Sequence, residues 1–209
     1  MSAGSVRIAA DVARLQALAA RAAGRIVLAA EATSASPRFL LELRYTTAGS
    51  REYPRVKQPF VRLAIDLPAR YPFQPPVASI RSPIFHPNVF DSGLVCQGTK
   101  WLPSEGMDLF VRRVAKLLTF DPLLVNAQSA ATGEAMRWYV RAVREHPQAF
   151  PSDTVAIVLA EEEAPKVQWQ TPERVLRACP KCATKMRLPA GKVGSVACPN
   201  CGERFEAQT

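Results

Sequence analysis

The sequence predicts an α+β domain followed by a small metal-stapled module, on three observations. Helical periodicity opens the chain, gives way to short strand-like runs, and returns after residue 107. Between the strands and the later helices lies a stretch, residues 71–101, in which five prolines forbid helix. Four of the five cysteines form two Cys-x-x-Cys pairs near the C-terminus.

Residues 6–22 place Ile8, Val12, Leu15, Ala19 and Ala22 on one helical face. Arg7, Arg14 and Arg21 are seven apart and form a ridge beside it, either a solvated face or a docking ridge. Strand-like runs follow at residues 25–31, 38–46 and 60–67, the last alternating as Val61, Leu63, Ile65 and Leu67. Residues 77–81, free of Pro and Gly, add a short fourth strand, and the four form an antiparallel meander. Asp108 reads as the cap of a helix in which Phe110, Val114, Leu117 and Leu118 share a face. A second helix over 130–144 turns Ala131, Ala135, Trp138 and Ala142 one way and ends before Pro147. A further helix is predicted over 153–163. The predicted domains are residues 1–163, a linker over 164–176 and a cysteine module over 177–209.

Outside its short strand, the proline-rich stretch reads as a stiff surface loop that holds side chains in place at little entropic cost. Two of these have chemistry to offer: the amide of Asn88 and the thiol of Cys96. Cys96 is followed by Gln97-Gly98-Thr99-Lys100, which is too polar for a core. It reads either as a nucleophile or as a small buried hydrophobe.

The series Tyr71-Pro72-Phe73-x-Pro75-Pro76, His86-Pro87-Asn88 and Gly93-Leu94-Val95-Cys96 resembles the active-site region of ubiquitin-conjugating (E2) enzymes. The resemblance covers roughly residues 5–150. It implies a UBC-like fold, the four-stranded meander being flanked by helices. It also implies an activity. Cys96 takes the C-terminal acyl group of a ubiquitin-like modifier from an E1-like activating enzyme and passes it to a lysine of a protein substrate. Asn88 is then implied to stabilise the oxyanion, worth about 3 kcal/mol for one fixed donor, or to order a nearby loop. Capping a turn is the other reading of Asn88. His86 is implied to shape the loop through the backbone rather than to act as a base. Asn126, counted from Asp121-Pro122, falls at the family's gating position near the incoming lysine. The ridge of Arg7, Arg14 and Arg21 becomes a candidate E1-docking surface. Phe73, Leu102 and Pro103 match the loops that the family uses against partners, with ordinary loop packing as the alternative. Trp101 follows Cys96 by five residues, whereas many family members have eight. That departs from the pattern of pairing with eukaryotic ligases.

Cys179-Pro180-Lys181-Cys182 and Cys198-Pro199-Asn200-Cys201 supply four thiolates, the number that tetrahedral zinc takes. So short a segment cannot bury enough core alone, so a metal would supply the folding energy. Four protein ligands leave no open position, which makes the zinc structural. With Leu188-Pro189 between the pairs and Phe205 after them, the module resembles a prokaryotic zinc ribbon. Two disulfides are the alternative.

Composition bounds the partners. The net charge is +9 over 209 residues. Residues 165–209 hold eight Lys/Arg against three Asp/Glu, so +5; residues 1–164 hold nineteen against fifteen, so +4. The basic tail permits nucleic acid. It lacks a run of aromatics for stacking bases, which favours docking of the E1, modifier or substrate. No apolar run approaches a membrane span, and arginines at 7, 14, 21 and 25 break any signal-peptide core, so a soluble, cytoplasmic protein is expected. Arg outnumbers Lys twenty to seven. Together with the ribbon this points to a bacterial ubiquitin-like pathway, of the kind linked to phage defence. Two further readings stay open: a non-catalytic E2-like adaptor, and a nucleic-acid-binding protein led by its ribbon.

Overall fold

The computed structural model describes residues 3–33, 35–98, 101–125, 130–153 and 174–208. The chain divides into two compact units, residues 1–161 and 162–209.

The first unit runs α1 (Ala3–Arg21), β1 (Ile26–Ala30), β2 (Arg38–Leu43), β3 (Val61–Asp66), β4 (Val77–Ile80), α2 (Met107–Leu118), α3 (Gly133–Glu145) and a 3-10 turn (Pro147–Ala149). The strands form one antiparallel sheet in sequence order, the expected meander. Its register explains its two faces. Phe39 pairs with Ile65, Leu41 with Leu63 and Leu43 with Val61, so every second residue of β2 and β3 points inward. All six are buried, beneath Leu15 and Leu18 of α1 and Phe110, Val111, Val114 and Leu117 of α2. Leu18 is fully buried where Ala19 was expected to face the core, because the inner stripe of α1 runs Asp11, Leu15, Leu18 at helical spacing. A second cluster joins Tyr53, Phe120, Trp138 and Phe150 around α3.

The start of α2 differs from expectation. Its N-cap is Gly106, which has no side chain to offer, and Asp108 lies in the first turn, 3.7 Å from Arg112. The cap comes from another helix: Asp11 of α1 accepts the Met107 N–H at 3.2 Å. The helix predicted over 153–163 falls outside the described residues, apart from Asp153. Among the described residues no helix is long and apolar enough to cross a membrane.

The second unit is two hairpins, β5 (Arg174–Ala178) with β6 (Lys185–Pro189) and β7 (Val193–Ala197) with β8 (Arg204–Gln208). The first strand begins inside the predicted linker, since Val175 pairs with Leu188 and so continues the ladder back from the cysteines. Both turns are built alike. The Cys179 carbonyl accepts the Ala183 N–H, the Cys198 carbonyl accepts the Gly202 N–H, and Ala183 and Gly202 both have positive φ.

Candidate functional site

The segment after β4 returns to the sheet edge and carries Cys96 with it. Ile80 N–H donates to the Gly93 carbonyl at 2.8 Å, and Val95 N–H to the Ala78 carbonyl at 2.9 Å. Gly93 has φ +84°, and a Cβ there would lie 2.5 Å from the Ile80 carbonyl oxygen, so only glycine allows this approach. A tight hairpin precedes the cysteine. Val89 opposes Val95, Phe90 N–H donates to the Leu94 carbonyl, and Gly93 N–H closes the turn on the Phe90 carbonyl. At its base, Cys96 N–H donates to the Asn88 carbonyl at 2.7 Å. The backbone of Cys96 is thus fixed by a ladder that ends on it. Its side chain is half-buried and free, outside both the apolar core and the four-cysteine cluster. That is the environment a thiol needs to meet a large partner.

Asn88 is wholly buried, and among the described residues neither side-chain atom has a hydrogen-bond partner. A buried amide left unpaired costs about 1–3 kcal/mol, a debt that folds tolerate mainly where a group has work to do. His86 is also buried, with its ring 4.4 Å from that of Phe120. Its Nδ1 accepts the Asn88 N–H at 3.0 Å. Burial lowers its pKa to about 3, with the Leu117 backbone offsetting a little of the effect. The imidazole is therefore neutral with its free lone pair already used, and has none to offer an incoming amine. The His86 ring and the Asn88 backbone are thus joined in the bend that leads to Cys96. Asn126 lies outside the described residues.

Two supports hold the other side of the thiol. Arg113 of α2 contacts Glu105 at 2.5 Å and donates to Gln97 Oε1 at 3.4 Å, tying the residue after Cys96 to a helix. Trp101 donates its indole N–H to the Pro72 carbonyl at 2.7 Å and packs edge-on against Phe110. The chain leaving Cys96 is thus pinned to the proline-rich segment.

The predicted arginine ridge does not present itself as three equivalent side chains. Arg7 turns inward: it donates to the carbonyls of Pro103 and Glu105, to the Tyr71 hydroxyl, and to Asp11 at 2.7 Å. Arg14 pairs with Asp11 at 3.0 Å yet stays partly exposed, and Arg21 is exposed. The reason is Asp11. This fully buried carboxylate accepts from Arg7, Arg14, the Tyr71 hydroxyl and the Met107 N–H at once. Burial and the neighbouring Asp11 push the Tyr71 phenol up from its ordinary range, so it stays a donor. Sequence reasoning missed this clamp; its one trace was a single acid in a basic helix. Phe73 (77% exposed) and Leu102 (55%) stand out in solvent, while Pro103 gives its carbonyl to Arg7.

In the second unit the Sγ atoms of Cys179, Cys182, Cys198 and Cys201 lie within 4.8 Å of one another. The Cys179–Cys201 and Cys182–Cys198 separations are 3.7 and 3.6 Å. Four sulfurs about 2.3 Å from one zinc ion in a tetrahedron stand about 3.8 Å apart. The donor set therefore fits one tetrahedral thiophilic ion and leaves no pair bonded as a disulfide.

Comparison with known proteins bears on the first unit. A family model described as ubiquitin-conjugating enzyme matches residues 28–151. The human ubiquitin-conjugating enzyme E2 T is 34% identical over 85 residues, 41% of this chain and 43% of that protein. The ubiquitin-conjugating enzyme E2 of African swine fever virus is 28% identical over 101 residues, 43% of this chain and 45% of that protein. The chain thus spans less than half the length of these curated relatives. Among solved structures, S. cerevisiae Ubc12 aligns with a TM-score of 0.53 at 20% identity, over 71% of this chain and 77% of that one. That likeness concerns the fold.

Proposed function

The chain belongs to the ubiquitin-conjugating enzyme family, and we propose that it works as an E2-type conjugating enzyme with Cys96 as its acceptor thiol. The observation that carries this is the placement of Cys96: a half-buried free thiol whose backbone is locked to Asn88 and the sheet edge. The Cys96 thiolate attacks the thioester that an E1-like enzyme holds with a ubiquitin-like protein. The new C–S bond forms as the old one breaks, and the E1 thiolate leaves. A substrate lysine, as the neutral amine, then attacks the carbonyl carbon. A C–N bond forms, the C–S bond breaks, Cys96 leaves as thiolate and the ammonium proton passes to solvent. The Asn88 carbonyl holds the Cys96 N–H, and the side-chain N–H groups of Asn88, without a partner among the described residues, suit the negative charge that builds on the carbonyl oxygen. Asn126 serves as the gate for the amine, the exposed Phe73 and Leu102 as partner contacts, and Arg14 and Arg21 as the part of the α1 ridge left for the E1. The C-terminal module is a zinc ribbon: Cys179, Cys182, Cys198 and Cys201 hold one structural zinc, which fixes the two hairpins. The pathway is a bacterial ubiquitin-like one that serves phage defence, and the protein is cytoplasmic.

The test is to mix the full chain with its E1, ATP and the modifier. An adduct that thiol reductant cleaves is expected. Cys96→Ser converts it to an ester that resists reductant, and Cys96→Ala removes it. An E1 that charges itself but passes nothing to the wild-type chain would support the adaptor reading instead.

A further inference from the structure

A groove of about 540 Å³ lies along the hairpin that ends on Cys96. One wall is the Val89–Gly93 side of that hairpin, and the other is the start of α3, Thr132 to Glu134. Both walls are fixed to the base of the site. The Ala131 and Thr132 N–H groups both donate to the Pro87 carbonyl, at 2.8 and 3.3 Å, and Asn88 holds Cys96. The groove is therefore built before any partner arrives.

Its charge is at odds with the chain. In a protein of net charge +9, neither lysine nor arginine among the described residues lines it. Among the described residues, the acidic side chains that line it are Asp91 and Glu134. Arg51 already pairs with Glu134. Asp91 sits exposed at the hairpin tip and, among the described residues, has no ion-pair partner. Phe90 beside it is 40% exposed and gives the groove an apolar patch. The course of the groove along the hairpin, the apolar patch and the uncompensated carboxylate together fit a segment of chain that carries a cation.

We propose that this groove receives the segment around the acceptor lysine, and that Asp91 selects lysines with a basic residue about three positions away. The inference rests on the conjugating role of Cys96. The spacing follows from the hairpin. Asp91 is three residues along from Asn88, about 10 Å at about 3.3 Å per residue of extended chain. A peptide lying extended with its lysine at Cys96 reaches Asp91 with its third neighbour. Asp91 acts on specificity alone and touches no reacting atom.

The experiment uses the full chain preloaded with modifier on Cys96 and freed of ATP. It is offered acetylated peptides with a single lysine and Arg, Ala or Glu three residues away on either side. The rate of discharge is read for each peptide in the same preparation. The Arg peptide is expected to discharge about fivefold faster than the Glu peptide, the size of one exposed charge contact. The ratio shrinks toward one in about 0.5 M salt. Asp91→Asn brings the ratio to one at low salt, and Asp91→Lys inverts it. Because each variant is its own control, a general loss of rate does not imitate the result. Equal rates for the wild-type chain, a ratio that Asp91→Lys leaves alone, or discharge to free lysine but to no peptide would overturn the proposal. A chain that never loads on Cys96 would instead overturn the conjugating role beneath it.

Discussion

Replacing Asp11 with alanine tests whether the buried clamp holds the loop beyond Cys96. The substitution removes the acceptor from four donors. Two of these are then stranded in the interior: the Tyr71 hydroxyl, on a residue only 8% exposed, and the Met107 N–H at the start of α2. Each orphaned donor costs about 1–3 kcal/mol, and the lost cap accounts for about 1 kcal/mol of that range. Arg7 loses its carboxylate but keeps the Pro103 and Glu105 carbonyls, which limits its share. Arg14 is 45% exposed in its side chain, so that pair adds at most a few tenths. The sum is about 2–4 kcal/mol. Asp11→Asn keeps a neutral acceptor and is expected to cost about half as much. The assay is urea unfolding followed by the fluorescence of Trp101 and Trp138, both in the first unit, with the midpoint shift read at constant m-value. Tyr71→Phe in the Asp11→Ala background removes one stranded hydroxyl and is expected to restore about 1 kcal/mol, a coupling that two independent losses would not show. A cost below about 1 kcal/mol for Asp11→Ala, with no such coupling, would refute the clamp.

Two further outcomes follow from the same structure. His86 has its folded pKa lowered to about 3 by burial, below the ordinary histidine value of 6.5. The unfolded chain therefore binds a proton that the folded one refuses, and stability falls as pH drops below about 6.5. Between pH 6.5 and 4.5, two units at about 1.4 kcal/mol each, the loss is about 3 kcal/mol at most; His86→Asn is expected to remove that part of the pH slope in parallel denaturation curves. Metal removal gives the other: with the four-cysteine site filled, one of the five thiols reacts readily with a disulfide reagent, and a strong chelator releases one zinc and raises the count to five. Five reactive thiols before chelation would show that the cluster holds no ion.

How much of this was legible in the chain varies by element. The meander was readable because Val61, Leu63, Ile65 and Leu67 alternate with a period of two, which fixes a face whatever the strand packs against. The four-cysteine cluster was readable because four thiols in two short pairs meet within one small module. Gly93 and Cys96 stood out as motif residues, but the reason for the glycine did not: the Ile80 carbonyl that excludes a side chain is thirteen positions away in sequence. The capping of α2 was misread at Asp108, since local rules look for a cap beside the helix.

By itself the sequence determined what periodicity and spacing encode: which residues face inward, where the backbone stiffens, which thiols can share a metal. Only the tertiary structure decided what those groups meet. Asp11 became a cap for a helix ninety-six residues away, Arg7 became a clasp rather than part of a ridge, and Asp91 became the uncompensated charge of a groove. The physical reason is that side-chain periodicity is a property of neighbouring residues. Hydrogen-bond satisfaction and charge balance in the interior are properties of whichever distant segments the packing brings together.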